Sequence, residues 1–403
     1  MKGIVVYYSG TGNNHKIARA IYRGMKQVIE ADIATVREAN PADMGKYDLI
    51  GIGSPIWYFR EVAAVRLFIY RMPDMKGKLA FAFSVHGTMP QGIFHSMFPA
   101  IQRKGLTIIG WNDWFGGNFY TLHGPKPYPL DGHPDEHDIK EAENWGREMA
   151  ERAQRIYAGE KDLVPEIPRG PDAPPMFKPI GVMTYFPGAT KPHRKINMEK
   201  CRYPECTLCI DNCVAKALDF SVRPPAFNIN TCINCCLCDR MCPEGAIEIP
   251  PEELYRMRTQ KRIDMTKCKY PQCTVCIDHC SMNAIDFSVD PPVFKHSCEG
   301  DDLCWVICPE GAIEIVNFDT THGLMRMGPP GRPRPEGGAP PRGVNLIEER
   351  EKEGRFRRYI SKEQEGAWGR VMDIKRHPRF NINDLMQETP LPPDYGKPDD
   401  TKY

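Results

Sequence analysis

CRYPECTLCIDNC (201–213) and CINCCLCDRMCP (232–243) are repeated downstream as CKYPQCTVCIDHC (268–280) and CEGDDLCWVICP (298–309). Cys201, Cys206, Cys209 and Cys213 return 67 residues later as Cys268, Cys273, Cys276 and Cys280. Cys232, Cys238 and Cys242 return 66 residues later as Cys298, Cys304 and Cys308. The segment from Lys195 to Ile315 is therefore a duplicated unit. Each unit is itself doubled, because all four runs end in Cys-x3-Ala-[Leu/Ile]-[Asp/Glu]-[Phe/Ile], at Cys213–Phe220, Cys242–Ile249, Cys280–Phe287 and Cys308–Ile315. Each tail sets an apolar pair behind its cysteines and enters a short strand.

Fifteen of the sixteen cysteines fall at these spacings, and Cys236, left over, reads as a buried small hydrophobe. Three thiolates two residues apart in a tight loop grip three corners of an iron–sulfide cube. Zinc ribbons separate their cysteine pairs by a longer loop. Disulfides need an oxidising compartment, and nothing here directs the chain to one. The run Cys232, Cys235, Cys238, Cys242, Pro243 is C-x2-C-x2-C-x3-C-P, and the segment resembles bacterial two-cluster ferredoxins, in which the fourth cysteine of each run ligates the other cluster.

That resemblance implies four [4Fe-4S] clusters. Cys201, Cys206 and Cys209 would share one with Cys242; Cys232, Cys235 and Cys238 one with Cys213; Cys268, Cys273 and Cys276 one with Cys308; and Cys298, Asp301 and Cys304 one with Cys280. Two departures stand out. The first run of each unit is C-x4-C-x2-C, with Tyr203-Pro204 or Tyr270-Pro271 in the wider loop. Asp301 stands where the repeat places Cys235, and a carboxylate is a harder, weaker donor for iron than a thiolate. Some archaeal ferredoxins share this C-x2-D-x2-C run, which implies a labile cluster able to fall to [3Fe-4S] or to take an outside ligand. Asp302 is the alternative donor.

At the amino terminus, residues 2–8 read as a continuous apolar strand of the kind buried in a parallel sheet. Ser9-Gly10-Thr11-Gly12-Asn13-Asn14 follows and opens a helical pattern to about residue 30. A strand, a hydroxyl- and glycine-rich turn and a helix start together make an anion site from backbone N–H groups. The loop resembles the flavodoxin phosphate loop, which holds the terminal phosphate of FMN without a lysine; G-x-G-x-x-G is absent. Further strands are expected at 32–36, 47–53, 78–84 and 106–111, alternating with helices, as in a doubly wound α/β sheet whose ligand sits beyond the carboxyl ends of the strands. The resemblance puts Ser54, Pro55, Ile56, Trp57 and Tyr58, and then His86, Gly87 and Thr88, around the flavin ring. Trp57 stacks on the ring, with Tyr58 as substitute, or else caps the sheet edge. His86 bonds the flavin pyrimidine or is an ordinary loop histidine. Gly116, Gly117 and Asn118 close over the ring or form a plain turn.

A length of 403 residues calls for more than one domain. The expected organisation is a flavodoxin-like domain (1–160), a proline-rich strap (161–195), two α+β bacterial-ferredoxin-like domains (196–250 and 251–316) and an extended tail (317–403). The strap and the proline- and arginine-rich start of the tail cannot form a core. The tail is a solvated end or a partner-docking arm, with a charged helix from 346 to about 375. A net charge of +1 leaves no basic excess for nucleic acid. No apolar run spans a membrane, and the start is a strand rather than a leader, so a cytoplasmic, low-oxygen setting is expected.

Cubes exchange one electron at a time and FMN one or two. The expectation is an electron-transfer protein, a linear cluster wire ending on a flavin, in a larger anaerobic redox complex with protein partners. No second nucleotide fingerprint and no acid, base or nucleophile constellation is visible. The alternatives are an FMN-dependent reductase of a quinone, enone or oxidant, favoured by an open flavin face, and a sensor built on the Asp301 cluster.

Overall fold

The computed structural model describes residues 1–87, 90, 92–117, 130–179, 193–233, 235–251, 259–317, 344–360 and 381–390. The strands β1 (Lys2–Tyr7), β2 (Glu30–Thr35), β3 (Leu49–Trp57), β5 (Leu79–His86) and β6 (Thr107–Phe115) form one sheet in the order β2-β1-β3-β5-β6. All neighbours are parallel, and β4 (Arg60–Glu61) folds back antiparallel onto the end of β3. Counted over the parallel strands this is 2-1-3-4-5, the flavodoxin-like doubly wound order, with its switch point between β1 and β3.

The apolar strands are continuous because helices cover both faces. Ile4, Val6, Ile50, Ile52, Ala80 and Ala82 meet α2 (Ala63–Arg71) and α3 (Ile93–Arg103) on one side. Val5, Tyr7, Phe81 and Phe83 meet α1 (Asn13–Lys26) and α4 (Glu136–Tyr157) on the other. The crossing of α1 and α4 is backbone to backbone: a Cβ on Gly24 would lie 1.9 Å from the Glu143 carbonyl, and one on Gly146 2.2 Å from that of Ile21. Alanine at either position would push the helices apart. The strap is less detached than its prolines predict, since Ala173, Met176 and Phe177 are buried in the core beside Phe94, Phe98 and Trp111.

Each cysteine unit is closed by its own terminal strands. Lys195–Ile196 pairs with Ile247–Glu248, and Lys261–Ile263 with Ile313–Ile315, both antiparallel. Inside each lies a second small hairpin, Leu218–Asp219 with Ala226–Phe227 and Ile285–Asp286 with Val293–Phe294. A short helix, expected from the sequence over 252–258 between the two units, lies outside the described residues.

The tail departs from the extended arm that its composition predicts. Val344–Lys352 is helical, and Leu346, Ile347 and Phe356 bury against Phe115 and Leu130. Ile382 and Leu385 join the apolar core of the second cysteine unit with Leu303 and Trp305. Two apolar anchors therefore tie the described parts of the tail to the body of the same chain.

Candidate functional site

Strands β1, β3 and β5 deliver their carboxyl-terminal loops to one edge, as a switch point requires. Gly12 is the N-cap of α1 with φ +84°, a left-handed backbone that favours glycine. Asn13 Nδ2 donates to the Gly117 carbonyl at 2.9 Å, so the first loop is braced by the last. Ser9 Oγ and the side-chain oxygen of Asn14 are buried with no hydrogen-bond partner. Unsatisfied buried polar atoms call for a ligand or water, and an amide can turn its N–H₂ to the same point. The loop therefore fits a phosphate. Lys16, one turn into α1, is 1% exposed, and burial pulls its ammonium down to about 8. The sequence reading passed over it; a lysine on the inner stripe of an amphipathic helix was the available signal.

The other expected flavin loops divide. Ser54 is fully buried and serves its own hairpin, accepting from Val62 N at 3.1 Å and donating to the Pro55 carbonyl at 2.8 Å. Pro55, Ile56 and Trp57 are half-buried, and Ile56 and Trp57 pack on the sheet core. Tyr58 and Phe59 hold positive φ values of 51° and 62°, a strained turn for non-glycine residues. His86 has both ring nitrogens engaged, Nε2 with Asp113 at 3.0 Å and Nδ1 with the Gly87 carbonyl. With these two bonds it buttresses the loop. Despite the burial cost, His86 and then Arg350 hold the Asp113 carboxyl below its ordinary range. Gly116 N donates to the His86 carbonyl and Gly117 N to that of His133, both at 2.9 Å. Thr88 and Asn118 lie outside the described residues.

Cys201, Cys206, Cys209 and Cys242 line one cavity with Ile196 and Ile247, and Cys268, Cys273, Cys276 and Cys308 line its counterpart with Ile263 and Ile313. Cys235 interacts electrostatically with Cys213, and Cys238 with Cys235. Arg194 faces Cys232 and Cys238 together. Cys280 faces Asp301 and Cys298, and Cys304 faces Cys298 and Asp301. The sixteen side chains thus gather into four sets, each joining three positions of one run to the fourth cysteine of the other. Burial, reinforced by neighbouring thiols, pushes Cys209 and Cys276 up to about 12, so loading metal there releases protons.

The recurring alanine has a further purpose. Ala217, Ala246 and Ala284 donate their backbone N–H at 3.2 Å to the sulfurs of Cys213, Cys242 and Cys280, and Ala312 donates at 3.3 Å to that of Cys308. In every run the Cys-x3-Ala turn aims an amide at the crossing thiolate.

Asp301 is half-buried, and the loss of water around its carboxyl pushes it up to about 6. The neighbouring Asp302 is held by Lys261 at 2.7 Å and by the Thr259 hydroxyl. Cys236, which stands where Asp302 does in the other unit, shares its left-handed backbone, φ 55° against 54°. It is more than a small hydrophobe, since its sulfur accepts from Arg194 Nη2 at 3.3 Å.

Sequence reasoning also missed how the cysteine units close over the strand-end loops. Tyr8 donates its hydroxyl to the His279 carbonyl at 3.3 Å, and Arg37 donates to that of Cys280 at 2.7 Å. A Cβ on Gly10 would lie 3.0 Å from Leu303. Arg60 Nε donates to the Cys235 carbonyl at 3.1 Å, and Arg240 Nε to that of Cys298 at 3.2 Å. Both guanidinium groups converge on Glu299, at 3.0 and 3.6 Å, and that of Arg240 sits 4.4 Å from the centre of the Tyr58 ring. The tail completes the enclosure. A Cβ on Gly12 would meet the Leu385 carbonyl at 1.7 Å, Glu388 pairs with Arg19 and Arg23, and Arg350 reaches Asp113 at 3.2 Å.

A second cluster of ligand-type side chains, His133, Asp135 and Asp138, is accounted for by the fold. Asp135 and Asp138 form the capping box of α4, and His133 bridges Asp138 at 2.6 Å and the Arg357 carbonyl at 2.7 Å.

No family model matches the chain. An NAD(P)H dehydrogenase (quinone) of Methylocella silvestris is 26% identical over 195 residues, covering 38% of this chain and 98% of that protein. The Hdr-like menaquinol oxidoreductase iron-sulfur subunit 1 of Archaeoglobus fulgidus is 26% identical over 151 residues, covering 33% of this chain and 51% of that subunit. A solved flavodoxin from the domain Archaea matches at 18% identity with a TM-score of 0.29, over 38% of this chain and 99% of the flavodoxin. No helix among the described residues is long and apolar enough to cross a membrane.

Proposed function

We propose that this chain is an electron-transfer protein. In this reading a flavodoxin-like module (1–160) holds FMN, two cluster units (196–250 and 251–316) hold four [4Fe-4S] clusters, and the assembly works as a subunit of a larger redox complex. The observation that carries it is the gathering of sixteen ligand-type side chains into four crossed sets, two of which abut the strand-end loops. The similarity to an Hdr-like iron-sulfur subunit supports the cluster half and the expectation of protein partners.

FMN would exchange one or two electrons and each cluster one. The chain's own residues bind and tune. The backbone of 9–14 and the Ser9 hydroxyl would take the phosphate, with Lys16 as buried counter-charge. Tyr58 and Trp57 would border the ring. Thiolates hold iron while the four alanine amides steady the crossing sulfurs, since N–H donors favour the charged form. Leu303, Gly300 and Arg240 cover the loops from the cluster side, which favours electron exchange with clusters over turnover of a freely entering substrate.

The alternative of an FMN-dependent quinone reductase draws on the likeness to a quinone dehydrogenase. Selective photoreduction separates the two. Visible light with a sacrificial donor reduces bound flavin; if the flavin feeds the clusters, their absorbance bleaches in the same preparation. A flavin that bleaches alone, and reoxidises only with added quinone, would contradict the electron-transfer reading.

A further inference from the structure

Each cysteine unit carries a partly buried cation at the same place in its repeat. Arg194 and Lys261 are 67 residues apart, the offset of the first-run cysteines. Arg194 bonds Cys236 and interacts with Cys232 and Cys238. Lys261, its side chain 2% exposed and paired with Asp302, interacts with Cys298 and Cys304. Both cations therefore stand beside the second-run set of their unit.

Two more have no counterpart cation in the duplication: Arg60 lies outside the repeat, and Arg240 aligns with Val306 of the second unit. Arg60, at the start of β4, bonds the backbone of Cys235; Arg240 bonds that of Cys298. Both guanidinium groups are 0% exposed. They share one carboxylate, Glu299, and Arg60 Nη2 and both Nη atoms of Arg240 are buried without hydrogen-bond partners. Buried charge so thinly compensated is costly unless another anion balances it. Apart from the candidate ligand Asp301, the other anions at hand are Asp239, Asp302 and Glu61; Glu61 is already paired with Arg66, so the cations remain in excess once Glu299 is shared.

The first-run sets differ. Arg202 and Lys267, next to Cys201 and Cys268, are 65% and 49% exposed and pair with Glu244 and with Asp264 and Glu314. Solvent and salt screen such charges, whereas a buried cation acts through a low effective dielectric.

We infer that Arg60, Arg194, Arg240 and Lys261 are potential-setting residues that raise the reduction potentials of the two second-run clusters above those of the two first-run clusters. This rests on the cluster reading proposed above. Reduction adds one negative charge to a cluster, and a buried cation favours that state. Asp301 brings the same formal charge as the thiolate it replaces. The second-run sets are also the ones that meet the flavin loops, through Arg60, Gly300 and Leu303. The flavin thus faces the middle of the cluster series, where two arms converge, rather than one end of a wire. An electron delivered by a protein donor to a first-run cluster would pass inward, oxidising that cluster by one electron and reducing its neighbour by one, with no proton moved.

Anaerobic potentiometry of the full holoprotein, followed by EPR, tests this. Two clusters should reduce at a higher potential than the other two, and Asp301→Cys should change the signal of one of the higher pair, which assigns it. Arg240→Gln should lower the higher pair by about tenfold in reduction equilibrium, about 59 mV for one electron, with the lower pair unmoved and Arg240→Lys restoring most of the shift. If the Asp301 cluster falls in the lower pair, or if Arg240→Gln moves all four alike or none, the inference is overturned. If Arg240→Gln does not fold, the wild-type ordering and Arg60→Gln against Arg60→Lys decide by the same criteria. Four clusters in the opposite order overturn this inference alone; a protein without four clusters overturns the cluster reading with it.

Discussion

The two cysteine units share a backbone plan and differ where it touches chemistry. Both close with paired terminal strands, both aim alanine amides at the crossing sulfurs, and both place a partly buried cation beside the second run. Yet Cys235 is answered by Asp301, Cys236 by Asp302 and Arg194 by Lys261. In the first unit a thiol receives the cation's hydrogen bond; in the second a carboxylate does, and Lys261 is neutralised more fully. Duplication kept the cysteine positions and the alanine N–H donors while one corner drifted from thiol to carboxylate. In the proposed reading the backbone sets the cage and tolerates that drift, and the side chain at the corner would set how firmly it holds iron.

The largest expected effect breaks the symmetry outright. Cys304→Ala should cost the second-run cluster of the second unit, lowering iron by about a quarter, whereas Cys236→Ala should leave iron unchanged, because that sulfur meets Arg194 and belongs to no set. Iron analysis after anaerobic reconstitution distinguishes them, and iron loss in Cys236→Ala would put Cys236 into the cage. Next, Asp301→Cys should make the second unit behave as the first: brief exposure to a mild oxidant should release iron from the wild type and not from the variant. Equal loss from both would remove Asp301 from the ligand set.

A third test compares the two ends of the flavin loop. Gly12→Ala forces a left-handed alanine, costing about 1–2 kcal/mol, and drives its methyl into the Leu385 carbonyl, so FMN retention should fall. Deleting residues 381–403 should also weaken retention, since Leu385 and Glu388 brace the loop from outside; unchanged flavin dissociation in both variants would show that the brace is incidental. The smallest effect concerns Lys16. With its ammonium pulled down to about 8 by burial, it is charged below that pH and, in the proposed reading, would assist a phosphate. As pH rises through 8, binding must first take up a proton, so FMN affinity should decline between pH 7 and 9. Fluorescence titration should find that slope missing in Lys16→Met.

Much of this was legible in the sequence because it is local. Cysteine spacing fixes which thiols share a loop, and an apolar strand followed by Ser9–Asn14 announces an anion loop. What stayed hidden lies between distant residues. Nothing in the sequence marks Arg60, Arg240 and Glu299 as buried, since charged side chains are almost always solvated; only the docking of three segments buries them. Phe177 and Leu385 sit in proline-rich or polar surroundings that predict no core, and pack because neighbouring elements left apolar space. The pairing of Arg194 with Lys261 was available, since the offset that aligns the cysteines aligns these cations too.

Counting cofactors in the intact chain, prepared without oxygen, tests the central claim most directly. The account predicts one FMN and roughly sixteen iron atoms with equal sulfide per chain, or about fifteen iron if the Asp301 corner is lost. A colourless protein, or one carrying zinc on these thiols and no flavin, would contradict it.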